Sequence, residues 1–170
     1  MTKKPESLKK GDWVVHTYYG IGQIKSVETK SIGDKKNKYF KVKTRNSTFF
    51  VPVANIDEDR IRPVASDYKL RKARKILKAP PVPFPEDHNE RKKMLAEISG
   101  DSSLEVSAQT IRDLLFRKQT EGLNDYEEKT LQTLEKLFVR EWAIIQDVSE
   151  EEAQERYEKL LEEFLPVESE

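Results

Sequence analysis

Few residues of this chain have the types and spacing for chemistry, and those few suit recognition better than catalysis. There is no cysteine, which removes disulfides, thiolate metal sites and cysteine nucleophiles. The two histidines, His16 and His88, are far apart and lack the spacing of metal ligands. Carboxylates crowd at Glu150-Glu151-Glu152 and Glu162-Glu163. Acids in such helical runs solvate a face or complement a helix N-terminus far more often than they form an acid–base pair. Gly20-Ile21-Gly22 is followed by neither Gly-Lys-Ser/Thr nor a helix start, so it is not a phosphate loop. No nucleophile–base set emerges, and no enzyme, metal or cofactor is expected. What remains is a group of aromatics (Tyr18, Tyr19, Phe49, Phe50) among many lysines and arginines, suited to stacking, strand pairing and charge recognition.

These aromatics lie in a stretch that reads as β-structure. Trp13, Val14 and Val15 are the aromatic and β-branched types that fit a pleated, half-buried surface. Gly20 and Gly22 permit positive φ or close backbone approach around Ile21. Strands are expected at about 12–18, 21–30, 38–45 and 47–54. In the third, Phe40 and Val42 alternate with Lys41 and Lys43, the pattern of one dry and one wet face. Arg45-Asn46-Ser47 is turn chemistry. Pro52 lacks an N–H, which marks the fourth strand as a sheet edge. A hairpin alone is marginal in water, so these strands should build a small bent antiparallel sheet or barrel of Tudor-like type. Trp13 is expected in its core, and His16 as a satisfied strand residue.

The periodicity changes at Asp67. Tyr68, Leu70, Ala73, Ile76 and Leu77 approximate helical spacing, with Lys and Arg between them. Four prolines between Pro80 and Pro85 should end this helix and form a stiff extended spacer. Beyond them the chain reads as helical, with a helix from Asp87 to Ser99 stopped by Gly100. Start signals of the capping-box type follow at Ser102-x-x-Glu105, Asn124-x-x-Glu127 and Ser149-x-x-Glu152, with a second stop at Gly122. Apolar stripes through Leu104, Ala108, Ile111 and Leu115, through Leu131, Leu134, Phe138 and Ile145, and through Ala153, Tyr157, Leu160, Leu161 and Phe164 make a compact bundle. Trp142, at i+4 from Phe138, belongs in that core. The fold class is therefore α+β in two modules: a β-module over 1–65, a basic helix with proline spacer over 66–86, and an all-α bundle over 87–170.

Of the 170 residues, 36% are charged, which favours small modules with modest cores. The net charge of zero hides an asymmetry. Residues 1–80 hold 20 Lys+Arg against 8 Asp+Glu, a balance of +12, and residues 81–170 hold 11 against 23, a balance of −12. A basic half and an acidic half suit different partners. The absence of any signal-like or membrane-length apolar run leads to the expectation of a soluble, cytoplasmic protein with no membrane association. A monomer is also expected.

The run Lys9-x-Gly11-Asp12-x-Val14-Val15-His16-x-x-x-Gly20-Ile21-Gly22 resembles the opening of the RNA-polymerase-interacting domain shared by CarD-type transcription regulators and the bacterial transcription-repair coupling factor. The resemblance continues through Lys38-Tyr39-Phe40-Lys41-Val42 and the Phe50-Val51-Pro52-Val53 strand. Ser99-Gly100-Asp101, Ile111-Arg112-Asp113-Leu114 and Gly122-Leu123 resemble the helical half of the CarD-type proteins. The resemblance implies binding to the polymerase β subunit through the Val-Pro edge strand, here Thr48, Phe49, Phe50 and Pro52. Lys30 maps to a second basic contact of the family, on the loop after the hairpin. The family's arginine before Val-Pro is Phe50 here, and Arg45 is a substitute for its charge. The resemblance also implies that the helical half meets promoter DNA at the upstream edge of the melted region, with Arg91, Lys92, Lys93 and Lys136 as candidate phosphate contacts. The family's wedge tryptophan maps near Asp87-His88, where this chain has none, so duplex binding by the isolated protein should be weak.

Two function classes follow. One is a polymerase-binding transcription regulator. The other is a stand-alone nucleic-acid-binding module, stacking bases on exposed aromatics, or a protein-interaction adaptor without promoter contact.

Overall fold

A computed structural model describes residues 8–54, 61–99, 101 and 103–163. It divides into two compact units, one up to Val64 and one from Ala65. The first is an antiparallel sheet of strands β1 (Trp13–His16), β2 (Gly20–Ile32), β3 (Lys35–Lys43), β4 (Thr48–Pro52) and β5 (Ile61–Pro63), in the order β4-β3-β2-β1-β5. The second holds helices α1 (Asp67–Lys78), α2 (His88–Ser99), α3 (Leu104–Thr120), α4 (Asp125–Gln146) and α5 (Glu150–Glu162). Among the described residues, no helix is long and apolar enough to cross a membrane.

In the β-module, the alternation of β3 sends Phe40 and Val42 into a core shared with Leu8, Val14, Ile24, Phe49 and Ile61. The turn between β1 and β2 is fastened by His16, whose Nδ1 accepts the backbone N–H groups of Tyr18 (3.0 Å) and Tyr19 (3.3 Å). An accepting Nδ1 leaves the proton of the neutral ring on Nε2. Gly20 completes the turn at φ +76°, a conformation that a Cβ disfavours. Trp13 corrects the expectation of a core tryptophan: it opens β1 and is 37% exposed, while Val14 and Val15 after it are buried.

Gly22 is required for space. A Cβ there would lie 2.8 Å from Val42 Cγ1 and 3.1 Å from the Lys43 carbonyl oxygen, where β2 passes β3. Gly22→Ala should therefore cost the β-module about 1–3 kcal/mol through overpacking. Urea unfolding of the variant should show a lower midpoint, and an unchanged midpoint would mean that the neighbouring strand gives way freely.

The helical unit differs from the sequence expectation at its start. The basic helix over 66–86 is not a spacer between modules. Leu70, Ala73 and Leu77 of α1 are buried with Ile111, Leu114, Phe138 and Trp142 in the unit's core, and so is Phe84 from the proline segment. Polar contacts hold it there. Val82 N–H donates to Asp113 Oδ1 at 2.9 Å, and Arg112 bonds Asp113 (2.8 Å) while reaching the Ile76 carbonyl (3.3 Å). The Ile111-Arg112-Asp113-Leu114 motif thus packs two side chains into the core and uses the two between them to seat α1 and the prolines. The buried Glu141 accepts the Ala65 N–H at 2.9 Å, anchoring the chain where the unit begins.

Asn124 and Glu127 form the expected capping box at the start of α4, and Ser149 caps α5. The α3 cap is Ser103, which accepts the Val106 N–H, one residue past the predicted start. Ser102, Gly100 and Phe164 lie outside the described residues. Tyr157 of α5 donates to Glu135 at 2.6 Å, and burial together with that carboxylate holds its hydroxyl protonated far above the ordinary tyrosine range.

Candidate functional site

The outermost strand, β4, carries the candidate site, and its backbone phase can be read from two hydrogen bonds. Thr44 N–H donates to the Ser47 carbonyl (2.8 Å), and Val53 N–H donates to the Lys38 carbonyl (3.0 Å). Antiparallel pairs alternate between bonded and non-bonded. With Val42 opposite Phe49 and Phe40 opposite Val51, residues 49 and 51 therefore bond to β3, while 48, 50 and 52 aim their main-chain groups outward. Thr48 and Phe50 present both N–H and C=O there. Pro52 presents only C=O, and its missing N–H costs the sheet nothing at an outward position. Among the described residues, no strand pairs with β4 on that side.

The side chains divide the same way. Phe49 is 8% exposed, stacked on Tyr19 at 4.5 Å and edge-on to His16 at 5.0 Å. Its backbone faces β3 and its ring faces the core, so the expected role of Phe49 as an edge contact is corrected. Thr48, Phe50 and Pro52 are exposed on the opposite face. There Lys30 Nζ lies over the Phe50 ring, 3.2 Å from its centroid, a cation–π contact. Lys30 sits within β2, opposite Asn37, not on a loop as expected. It reaches this face because β2 shifts register between Ile24 and Ser26. The shift leaves Ile24 in the core but turns Ser26, Glu28 and Lys30 outward. Lys41, opposite Phe50, joins the strip with a 3.9 Å ion pair to Glu28. Sequence reasoning did not single out Lys41, although the alternation of β3 carried the signal. Arg45 is exposed in the turn between β3 and β4, next to this edge in sequence.

The candidate DNA contacts are not brought together. Arg91 is 7% exposed, its Nε bonded to Glu127 at 2.7 Å and its Nη1 to the carbonyls of Pro85 and Glu86. It is an internal tie and cannot face a phosphate, which corrects its assignment. Lys92 and Lys93 are exposed on α2, Lys92 with its Nζ 5.6 Å from the centroid of the Tyr126 ring. Lys136 is exposed on α4, about 15 Å further along that helix than Tyr126 at the α-helical rise.

Two family profiles cover these two units in turn. The CarD-like/TRCF RID domain matches residues 8–65, and the CarD C-terminal domain matches residues 72–158. The chain belongs to the CarD family. Over 144 residues it is 24% identical to YdeB, a candidate transcription factor of Bacillus subtilis strain 168, covering 84% of this chain and 94% of that protein. It is 36% identical over 75 residues to the transcription-repair-coupling factor of Staphylococcus haemolyticus, and 30% identical over 133 residues to that of Staphylococcus aureus USA300. These matches cover 44% and 77% of this chain but only 6% and 10% of the coupling factors. CarD-family membership makes transcription regulation the level at which the function is defined, and the α+β architecture in two units agrees with it.

Proposed function

We propose that this CarD-family protein is a bacterial transcription regulator that binds the RNA polymerase β subunit through β4, with its helical unit directed toward upstream promoter DNA. The observation that carries the reading is the outward phase of Thr48, Phe50 and Pro52 on an edge strand. An edge with free N–H and C=O groups accepts a partner strand by main-chain pairing, and the alternate side chains beside it set specificity. Phe50 with Lys30 supplies an apolar and cationic anchor on that edge, and Arg45 adds charge beyond its near end. Lys92, Lys93 and Lys136 are the remaining exposed cations of the expected DNA set.

The stacking alternative is less well supported. Tyr18 and Tyr19 are exposed at the turn between β1 and β2, but a single-strand platform needs a succession of exposed rings on one surface. Phe49 is buried against Tyr19 and Phe50 lies on the opposite face, so the four rings do not form one. Pull-down from a bacterial lysate separates the readings. The polymerase reading expects core polymerase to be retained after exhaustive nuclease treatment, and loss of the polymerase with the nucleic acid would overturn it.

A further inference from the structure

We propose that the solvent face of α1 is a backbone-contact surface for duplex DNA, stronger than the α2 lysines. The proposal rests on the reading that the helical unit meets promoter DNA, and it names the surface that would do so. Leu70, Ala73 and Leu77 bury one side of α1. At 3.6 residues per turn, Tyr68, Arg71, Lys72, Lys75 and Lys78 then fall within an arc of about 120° on the other side, and all five are exposed. The four cations rise about 10 Å along the helix, the length of roughly three base-pair steps on one strand.

Among the described residues little competes for these charges. Arg71 meets Asp67 at 3.5 Å and Lys78 meets Glu163 at 2.8 Å, both exposed pairs, which contribute little and exchange readily for another anion. Lys72 lies over the Tyr68 ring at 5.1 Å, and no ion pair engages Lys75 among the described residues. The contrast with α2 is direct: there Arg91 is internally neutralised, and Lys92 and Lys93 share the exposed surface with Glu90 and Glu97. Residues 81–170 carry a balance of −12, so α1 is a cationic strip on an otherwise acidic unit. A straight rigid strip with one aromatic suits duplex phosphates better than a single strand, which needs a succession of stacking rings.

The test is fluorescence anisotropy of the full chain with a labelled 25-base-pair duplex across a salt series. Lys72→Glu/Lys75→Glu should weaken binding at low salt at least tenfold, and Lys72→Gln/Lys75→Gln should lower the slope of log affinity against log salt by about 2. Both pairs are on the solvent face, and circular dichroism should show unchanged helix content. Lys92→Glu/Lys93→Glu should weaken binding less than threefold. Wild-type affinity in the α1 variants, a larger loss in the α2 variant, or no duplex binding by the wild type would overturn the proposal. Retention of the β subunit by the same variants is read separately, so failure of the α1 surface is distinguishable from failure of the polymerase reading.

Discussion

Glu127→Ala should destabilise the helical unit by about 3–5 kcal/mol, because it leaves the Arg91 charge buried without its partner. The pair is well enclosed, with side-chain exposures of 9% for Arg91 and 2% for Glu127 at a 2.7 Å contact. Arg117 adds a second cation, its Nε 3.9 Å from Glu127. Burial by itself would raise the Glu127 carboxyl pKa. The Arg91 hydrogen bond, the Asn124 backbone N–H and the charges of Arg91 and Arg117 outweigh it, and the pKa lies below its ordinary value of 4.5. A carboxyl depressed in the folded state contributes stability that is complete above the unfolded value and lost as pH falls through the folded one. The Tm of Glu127→Ala should therefore drop by at least about 12 °C at pH 7. The difference between wild type and Glu127→Gln should narrow as pH falls below 4.5. Arg91→Ala should cost a similar amount, and the double variant less than the sum of the two. Additive losses, or an Arg91→Ala variant of full stability, would show that the two groups are not coupled.

Phe50→Glu should leave the β-module folded and weaken β-subunit binding at least about thirtyfold, equivalent to about 2 kcal/mol. Phe50 is 37% exposed, on the face opposite the core, and its ring is covered by Lys30 Nζ at 3.2 Å. A carboxylate in its place meets the same lysine, so the fold loses a cation–π contact and gains an ion pair, each small at an exposed site. The partner's strand instead loses an apolar anchor and meets a new charge. Circular dichroism of the variant should match the wild type, and titration against purified β subunit should show the loss. A folded Phe50→Glu variant binding with wild-type affinity would remove Phe50 from the interface.

Much of the architecture was legible because its signals are local. Phe40 and Val42 alternating with Lys41 and Lys43 predicted a strand with one buried face, and that is the face found. Pro52 marked an edge because a missing N–H cannot sit inside a ladder. Asn124 with Glu127, and Ser149 with Glu152, marked helix starts through hydrogen bonds three residues apart. The proline segment misled because four prolines fix an extended conformation without saying what it packs against; Phe84 and the Val82–Asp113 bond decide that.

The sequence by itself determined the two modules, strands β1 to β4, the helices, the edge position of β4 and the family, since each depends on residue type and short-range spacing. The short β5 was not among the expected strands and is made by its pairing with β1. The tertiary structure alone decided which charges and rings are available. One extra residue in β2, between Ile24 and Ser26, turned Lys30 onto the Phe50 face. A contact 36 residues away in the chain, with Glu127, withdrew Arg91 from solvent. Burial of Leu70, Ala73 and Leu77 left the cations of α1 facing outward. Local pattern shows which face of a strand or helix is apolar; which distant segment covers that face, and which charge is paired away, are properties of packing that it does not encode.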